Sequence, residues 1–316
     1  MKVFVTSKVP EKIYKRLEDN FELIYNNSEK PLTKAEIIEK IEDAEALLCP
    51  LSDKIDREII EKSNNLKIIA NYGAGFDNID IKAAKENNIY VTNAPAQSSA
   101  TSTAELTFGL ILCLARNLMR GDKTVRAGEF LGWRPTFFLG SELKGKTVGV
   151  IGMGNIGKNL SKRAISFDMN VIYYSRNRKS DIEEIGAEYM TFDEVIKNAD
   201  FLTIHTSYSD ELYHMISEEE FENMKSSAFL INAARGPLVD EKALINAIKD
   251  EKIAGAALDV YEYEPEVSEG LLNLNNIILE PHIGNATYEA REEMGNIAID
   301  NLLDFKNSLK PRNSIN

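Results

Sequence analysis

The segment Thr147–Gly157, TVGVIGMGNIG, predicts a short buried strand that runs through a glycine-rich turn into a helix. Four of its first five residues are β-branched, which suits a strand covered on both faces. The glycines that follow have the spacing G-x-G-x-x-G. Gly152 allows a tight turn, Gly154 lets a pyrophosphate approach the backbone, and Gly157 lets the new helix pack closely on the strand. The segment therefore predicts a dinucleotide site.

The helix predicted over Asn155–Ser166 supplies the second half of this site. Its first backbone N–H groups, beginning at Asn155 and Ile156, have no acceptor within the helix. The positive end of the helix dipole points in the same direction, so both features favour an anion such as a phosphate.

Strands alternate with helices on both sides of this segment, which predicts an α/β fold of two doubly wound parallel-sheet units in tandem. A length of 316 residues agrees with two domains. The helix predicted before the glycine motif, Ala104–Arg116, is apolar nearly all round, and we interpret it as a subunit interface rather than a core helix. The small polar stretch Asn93–Ser102 before it predicts a hinge. The loop Gly128–Gly140 holds the single tryptophan, Trp133, and is either an active-site edge or a packed surface loop.

Composition excludes several classes of function. A net charge of −13 argues against binding to nucleic acid and to anionic membrane surfaces. Cys49 and Cys113 lie in apolar runs without metal-like spacing, so we expect no metal site. The N-terminal stretch MKVFVTSKVP has too few apolar residues for a signal peptide or a membrane span. We therefore expect a cytoplasmic protein.

The end of the second strand after the glycine turn predicts which form of the cofactor is used. An NAD site normally has Asp or Glu there to bind the ribose hydroxyls. This chain has Ser175, Arg176 and Arg178 instead. A hydroxyl and arginines suit a 2′-phosphate, so we expect NADP(H) to be preferred, with NAD(H) as the alternative.

Three polar residues follow predicted strands of the second unit, where ligands of open α/β sheets bind. Arg235 follows FLINAA, Glu264 follows GAALDVYEY, and His282 lies directly after the last strand. Together they predict a catalytic set. The other histidines, His205 and His214, are interpreted as structural residues with satisfied hydrogen bonds.

Seven segments resemble the D-isomer-specific 2-hydroxyacid dehydrogenase family, and most closely its glyoxylate/hydroxypyruvate reductase branch. In chain order they are NYGAGFDNID (71–80), VTNAPAQSSATSTAEL (91–106), TVGVIGMGNIG (147–157), VIYYSRNRK (171–179), LINAARGPLVD (230–240), AALDVYEYEP (256–265) and LEPHIGNAT (279–287).

The resemblance implies roles for the catalytic set. Arg235 would hold the carboxylate and the carbonyl oxygen of the substrate, and His282 would be the proton donor in reduction. Glu264 would orient His282 and favour its charged form. The backbone amides of Ala74 and Gly75 would grip the substrate carboxylate. The resemblance leaves the contribution of Tyr72 to specificity open.

The resemblance also implies cofactor contacts, domain bounds and assembly. Asp259 would bind the nicotinamide carboxamide, while Thr206 and Ala233 would line the cofactor. Residues 1–98 and 285–316 would form a flavodoxin-like substrate-binding domain, and residues 99–284 a Rossmann cofactor domain. A homodimer would form largely through the long apolar helix.

The expected activity is NADPH-dependent reduction of glyoxylate and hydroxypyruvate. An NAD-dependent D-lactate or phosphoglycerate-type dehydrogenase is the alternative enzyme. A nucleotide-sensing, corepressor-like binding protein is the alternative outside enzymes. The complete set of Arg235, Glu264 and His282 argues against the sensor.

Overall fold

A computed structural model of the protein describes residues 1–316, and the chain divides into two compact units. Unit 1 comprises Met1–Ser99 and Asn285–Asn316, and unit 2 comprises Ala100–Gly284. Residue 99 thus falls in unit 1, whereas the sequence analysis places it in the second domain.

Unit 1 is built on a five-stranded parallel sheet of order β2-β1-β3-β4-β5, which is the flavodoxin-like order. Its strands are β1 (Lys2–Val5), β2 (Glu22–Tyr25), β3 (Ala46–Pro50), β4 (Ile68–Tyr72) and β5 (Tyr90–Thr92). Its helices are α1 (Glu11–Asn20), α2 (Lys34–Ile41), α3 (Arg57–Lys62), α4 (Ile81–Glu86) and the C-terminal α13 (Tyr288–Lys306).

Unit 2 is built on a seven-stranded parallel sheet of order β12-β11-β10-β9-β6-β7-β8. Its strands are β6 (Thr147–Ile151), β7 (Asn170–Tyr174), β8 (Ala187–Tyr189), β9 (Phe201–Ile204), β10 (Phe229–Asn232), β11 (Gly255–Leu258) and β12 (Ile277–Leu279). The order reverses between β6 and β9, as in a Rossmann sheet, and the predicted pair of doubly wound domains is confirmed.

The helices of unit 2 cover both faces of this sheet, as the continuous apolar strands require. They are α5 (Gln97–Arg116, which begins in unit 1), α6 (Leu118–Arg126), α7 (Asn155–Ser166), α8 (Ser180–Glu183), α9 (Phe192–Asn198), α10 (Glu218–Asn223), α11 (Glu241–Lys249) and α12 (Glu269–Leu272). Short 3₁₀ turns occupy Asp210–Leu212 and Gly236–Leu238.

Local signals in the sequence fix several helix starts. Thr33 caps α2, and its hydroxyl accepts from the backbone N–H of Glu36 while the Glu36 carboxylate accepts from Thr33. Thr191 and Glu194 form the same capping box ahead of α9. Each box satisfies backbone donors that a helix terminus otherwise leaves unpaired.

The predicted hinge Asn93–Ser102 contains the boundary between the two units, at Ser99 and Ala100, but helix α5 already begins within it at Gln97. The Glu293 carboxylate accepts hydrogen bonds from the backbone N–H groups of Gln97 and Ser98. A residue nearly 200 positions away therefore supports the first turn of this helix, which the local polar sequence did not reveal.

The apolar part of α5 is largely covered by its own unit. Phe108, Ile111 and Leu114 are buried in a core with residues of β6, β7 and α7. This accounts for much of its apolar composition within the unit, and the subunit interface predicted for this helix stays a prediction. By length and composition α5 would suffice to cross a membrane, but 61% of its apolar window is buried in the fold, as in the core helix of a soluble protein.

The loop Gly128–Gly140 presents large apolar side chains to solvent. Leu131, Trp133 and Leu139 are 79%, 83% and 70% exposed. The preceding helix α6, which the sequence analysis missed, has no buried residue. Of the two interpretations of this loop, a packed surface loop does not fit such exposure.

Candidate active site

The glycine turn after β6 has the geometry that its spacing predicts. Gly152 has φ +100°, and a Cβ there would lie 2.6 Å from the carbonyl carbon of His205. A Cβ on Gly157 would lie 2.4 Å from the carbonyl oxygen of Gly152. At both positions a side chain would overlap the backbone of the protein, so only glycine fits. A Cβ on Gly154 would meet nothing within 4 Å, so that glycine leaves open space in front of the backbone.

Helix α7 starts directly at this space. Its N-cap is Gly154, and no side chain caps its first turn. The first N–H groups, from Asn155 and Ile156 onward, are thus left to an external acceptor at the positive end of the helix. The turn fits the pyrophosphate of a dinucleotide.

The end of β7 carries no carboxylate between Tyr174 and Lys179. The Ser175 hydroxyl donates to the carbonyl oxygen of Asn177 at 2.7 Å. Arg178 pairs with Glu183 at 2.7 Å, so its charge is already offset within the chain. Arg176 is exposed and makes no hydrogen bond or ion pair within the chain, so its contact with a 2′-phosphate stays a prediction.

His282 and Glu264 form a hydrogen-bonded pair at the carboxyl end of the sheet. The His282 Nδ1 lies 2.8 Å from Oε2 of Glu264. Because a carboxylate only accepts, the proton belongs on Nδ1, and Nε2 is the nitrogen that can exchange a proton with another molecule. This is the pairing that the sequence analysis assigned to these two residues.

The backbone around His282 is held in a strained conformation. His282 has φ +55°, in the left-handed region that non-glycine residues rarely adopt. The next two N–H groups, of Ile283 and Gly284, each donate to the carboxylate of Asp259 at 2.7 Å. Asp259 thereby fixes the turn that presents the imidazole, a role that the sequence did not reveal.

Opposing influences act on the Glu264 carboxyl. Burial raises its pKa, but the hydrogen bond and charge of His282, the N–H of Tyr261 at 2.9 Å and the charge of Arg235 outweigh this and lower the pKa below 4.5. Glu264 is therefore ionised over the whole range in which an imidazole titrates. Arg235 is thus close enough for its charge to lower the pKa of Glu264.

Arg235 follows β10 on a backbone that is fixed on both sides. The Asn232 side chain donates to the carbonyl oxygen of Arg235 at 2.9 Å. A Cβ on the next residue, Gly236, would lie 1.9 Å from the carbonyl carbon of Tyr261. The segments that carry Arg235 and Glu264 thus pack backbone against backbone, which only glycine permits.

In the loop Gly73–Gly75, which follows β4 in unit 1, side chains of the protein donate hydrogen bonds to two of the carbonyl groups, whereas two backbone N–H groups have no acceptor. The Asn93 side chain donates to the carbonyl oxygen of Ala74 at 2.7 Å, and that of Asn71 to the carbonyl oxygen of Gly75 at 2.8 Å. The N–H groups of Ala74 and Gly75 have no acceptor within the chain. They are free to bind an anion, as the resemblance implies.

The remaining predicted residues take defined places. Ala233 is buried after β10, and Thr206 is half-buried beside the Gly152 turn. Both oxygens of Asp259 are engaged by backbone N–H groups, so its contact with a carboxamide stays a prediction. Tyr72 is 7% exposed and donates from its hydroxyl to the carbonyl oxygen of Arg291, which places it in the core of unit 1.

The other two histidines differ from each other. The interpretation of His205 as a satisfied residue is wrong, because both ring nitrogens are buried without a hydrogen-bond partner. Burial lowers the pKa of His205 to about 3, so the ring is neutral. His214 is paired, with Nε2 2.9 Å from Oε1 of Glu262. No group of three or more His, Cys, Asp and Glu side chains could hold a metal ion.

Comparison with known proteins decides the family. The model of the D-isomer specific 2-hydroxyacid dehydrogenase NAD binding domain matches residues 108–284. A protein of Staphylococcus haemolyticus bearing the name "Putative 2-hydroxyacid dehydrogenase" is 49% identical over 316 residues, which is 100% of this chain and 99% of that one. The chain belongs to the D-isomer-specific 2-hydroxyacid dehydrogenase family.

Solved structures agree over the full length. The TT0316 protein of Thermus thermophilus is 36% identical with a TM-score of 0.93, and each chain covers 100% of the other. A glyoxylate reductase from Paecilomyes thermophila is 32% identical with a TM-score of 0.86, covering 100% of this chain and 98% of that chain.

Two further members of this structural group carry different cofactors. An acyclic imino acid reductase in complex with NADPH is 30% identical, with a TM-score of 0.87 and full coverage of both chains. A D-lactate dehydrogenase of Aquifex aeolicus complexed with NAD and lactic acid is also 30% identical, with a TM-score of 0.85 and coverage of 98% and 96%. Unit 2 of this 2-hydroxyacid dehydrogenase is thus a nicotinamide-nucleotide domain, within a family that acts on 2-hydroxy and 2-keto acids.

Proposed function

We propose that the protein reduces small 2-keto acids, with glyoxylate and hydroxypyruvate as the preferred substrates and NADPH as the preferred cofactor. The observation that carries the proposal is the His282–Glu264 pair with the charge of Arg235 beside it. These groups supply a proton, an orienting carboxylate and a cation for an anionic acid.

The roles follow from the chemistry of each group. The nicotinamide cofactor supplies a hydride when bound. His282 donates a proton from Nε2 to the carbonyl oxygen, while Glu264 orients the ring through its hydrogen bond with Nδ1. Arg235 binds the carboxylate and stabilises the negative charge that develops on the carbonyl oxygen. We assign the N–H groups of Ala74 and Gly75 to the substrate carboxylate as well.

The preference for NADPH rests on the end of β7. A 2′-phosphate there would have Arg176 and the Ser175 hydroxyl as partners, and no carboxylate lies between Tyr174 and Lys179. An NAD-dependent D-lactate or phosphoglycerate-type enzyme remains the second candidate, favoured by the NAD complex of the related D-lactate dehydrogenase. The proposed contacts with Asn155, Ile156, Thr206 and Ala233 serve both cofactors equally.

The test follows the absorbance of NADPH and of NADH with glyoxylate, hydroxypyruvate, pyruvate and 3-phosphohydroxypyruvate. We expect the highest kcat/KM with NADPH and one of the first two acids. A higher kcat/KM with NADH overturns the cofactor preference, and a clear preference for either of the other acids overturns the substrate assignment. No turnover with any acid, together with tight NADPH binding, favours the nucleotide sensor.

We further propose a homodimer in which residues 118–139 cover each other's exposed apolar side chains. Phe130, Leu131, Trp133 and Leu139 lie in one short segment, and each is more than half exposed. Exposed apolar residues grouped in this way are typical of an interface. Light scattering on the wild type is expected to give about 70 kDa, twice the chain mass of 35.4 kDa. Leu131→Asp is expected to give monomers, and a monomeric wild type contradicts the proposal.

A further inference from the structure

His214 contacts both segments that carry the proposed catalytic residues. Its backbone N–H donates to the carbonyl oxygen of Pro237 at 2.9 Å, two residues after Arg235. Its Nε2 lies 2.9 Å from Oε1 of Glu262, two residues before Glu264. One residue thus joins the segment of Arg235 to the segment of Glu264.

The pair formed with Glu262 is inside the protein. The Glu262 side chain is only 6% exposed, and His214 is its only ion-pair partner. The Tyr213 hydroxyl also donates to the same oxygen at 3.0 Å. A nearly buried carboxylate is costly without a cationic or donating partner, so the imidazole stabilises the position of this segment.

Further acidic groups surround the same position. The His214 Nδ1 lies 3.6 Å from a carboxylate oxygen of Asp240, so both ring nitrogens face carboxylates. The backbone N–H of Glu262 donates to Glu241 at 2.7 Å. Without the imidazole, Glu262 would lose the hydrogen bond to Nε2 and remain near Asp240 and Glu241.

The neighbouring backbone leaves little room for Glu262 to move. The Gly236 position lies so close to the Tyr261 carbonyl that even a methyl group would overlap it. Tyr261 in turn donates its N–H to Glu264 and its hydroxyl to the carbonyl oxygen of Glu280. Movement of this segment therefore changes the carboxylate that holds His282.

We infer that His214 is a positioning residue for the reduction. It acts through Glu262 to keep Glu264 in contact with His282, and it holds the segment that carries Arg235 beside the segment that carries Glu264. The inference rests on the proposed function for its effect on turnover. It adds a second histidine–carboxylate pair that never touches substrate or cofactor.

His214→Gly is the cleanest variant, because His214 has φ +54°, where glycine is unstrained. We expect kcat to fall by about 10- to 100-fold, as for small misplacements of catalytic groups, with the Kd of NADPH unchanged. A loss of stability alone would lower the active fraction, and kcat corrected for that fraction would then equal that of the wild type.

Nuclear magnetic resonance gives a readout that is independent of turnover. The chain has three histidines, so the ¹⁵N resonances of the His282 ring are easily assigned. His214→Gly is expected to shift them toward a mixture of tautomers. Lys252→Ala, which removes an exposed ion pair with Glu222 in the same unit, is the matched control and should leave them unchanged.

Glu262→Gln keeps the shape of the side chain and removes its charge, so it tests the pair even where His214→Gly folds poorly. We expect kcat and the His282 resonances to change in the same direction as in His214→Gly, but by less. The fold decrease in kcat of the double variant should be well below the product of the decreases of the two single variants. Unchanged His282 resonances and an unchanged kcat in a folded His214→Gly protein overturn the inference. If the wild type turns over no 2-keto acid, the proposed function fails while the resonances still decide the role of His214.

Discussion

Two loops of this protein follow parallel strands and contain backbone N–H groups that have no acceptor in the chain, but they are built in different ways. The cofactor loop Gly152–Gly157 is set by backbone geometry, with one positive φ and a helix that begins at Asn155. The proposed substrate loop Gly73–Gly75 is set by the amide side chains of Asn71 and Asn93, which donate to two of its carbonyl groups.

The difference explains why one loop is easy to find in a sequence and the other is not. A turn made by backbone geometry needs glycine at fixed spacing, and that spacing is visible as a motif. A turn held by side chains depends on residues whose targets are known only after folding. The comparison predicts which substitutions damage the fold and which damage binding.

The largest effect is expected from Gly152→Ala. A Cβ at φ +100° adds strain and overlaps the backbone of His205, so we expect a loss of about 3 kcal/mol or more in the free energy of unfolding. Urea denaturation measures it. Gly154→Ala is the control, since its Cβ meets open space. It should keep its stability and lose affinity for NADPH, and equal stability losses in the two variants would contradict the comparison.

A smaller effect is expected from Asn71→Ala in the substrate loop. Its side chain is fully buried, and removing it leaves the Gly75 carbonyl without its donor, at a cost of about 1–3 kcal/mol. The KM for the keto acid should rise while the Kd of NADPH stays the same. Isothermal titration with NADPH and steady-state kinetics separate the two, and an unchanged KM removes the substrate role from this loop.

Arg176→Ala tests the cofactor side of the comparison. Loss of one exposed charge-assisted contact with a 2′-phosphate is expected to lower the kcat/KM ratio of NADPH to NADH by about tenfold. Arg178→Ala should change the ratio less, because Glu183 already pairs with that guanidinium. Equal effects of the two variants would show that Arg176 has no special role.

The smallest effect concerns pH. The lowered pKa of Glu264 means that its ionised form stabilises the fold above its unfolded-state pKa, and that this contribution disappears as pH falls through the folded value. The stability difference between wild type and Glu264→Gln should therefore shrink below about pH 4.5. Asn93→Ala, which removes a group that does not titrate, should show the same difference from wild type at every pH.

Much of the fold is predictable because its signals are local. Helix α7 has the predicted bounds Asn155–Ser166, and the glycine turn before it has the predicted geometry. This segment combines a β-branched run with glycines at fixed spacing and the start of a helix. The hydrogen-bonded pair His282–Glu264 is likewise predicted from strand-end positions and from the family resemblance.

The parts that escaped prediction depend on contacts between distant residues. The first turn of α5 needs Glu293, and the partner of His214 is Glu262, 48 positions away. The edge strand β8 is three residues long and is defined by its pairing with β7 rather than by its own sequence. No local pattern encodes these partners.

The most direct test of the central claim is the rate of a single turnover with saturating NADPH and glyoxylate, comparing wild type with His282→Ala. If His282 donates the proton, the variant should bind NADPH like the wild type and reduce the acid about 10²- to 10⁴-fold more slowly. A variant that reduces glyoxylate at the wild-type rate would contradict the assignment of His282 and, with it, the account of the site.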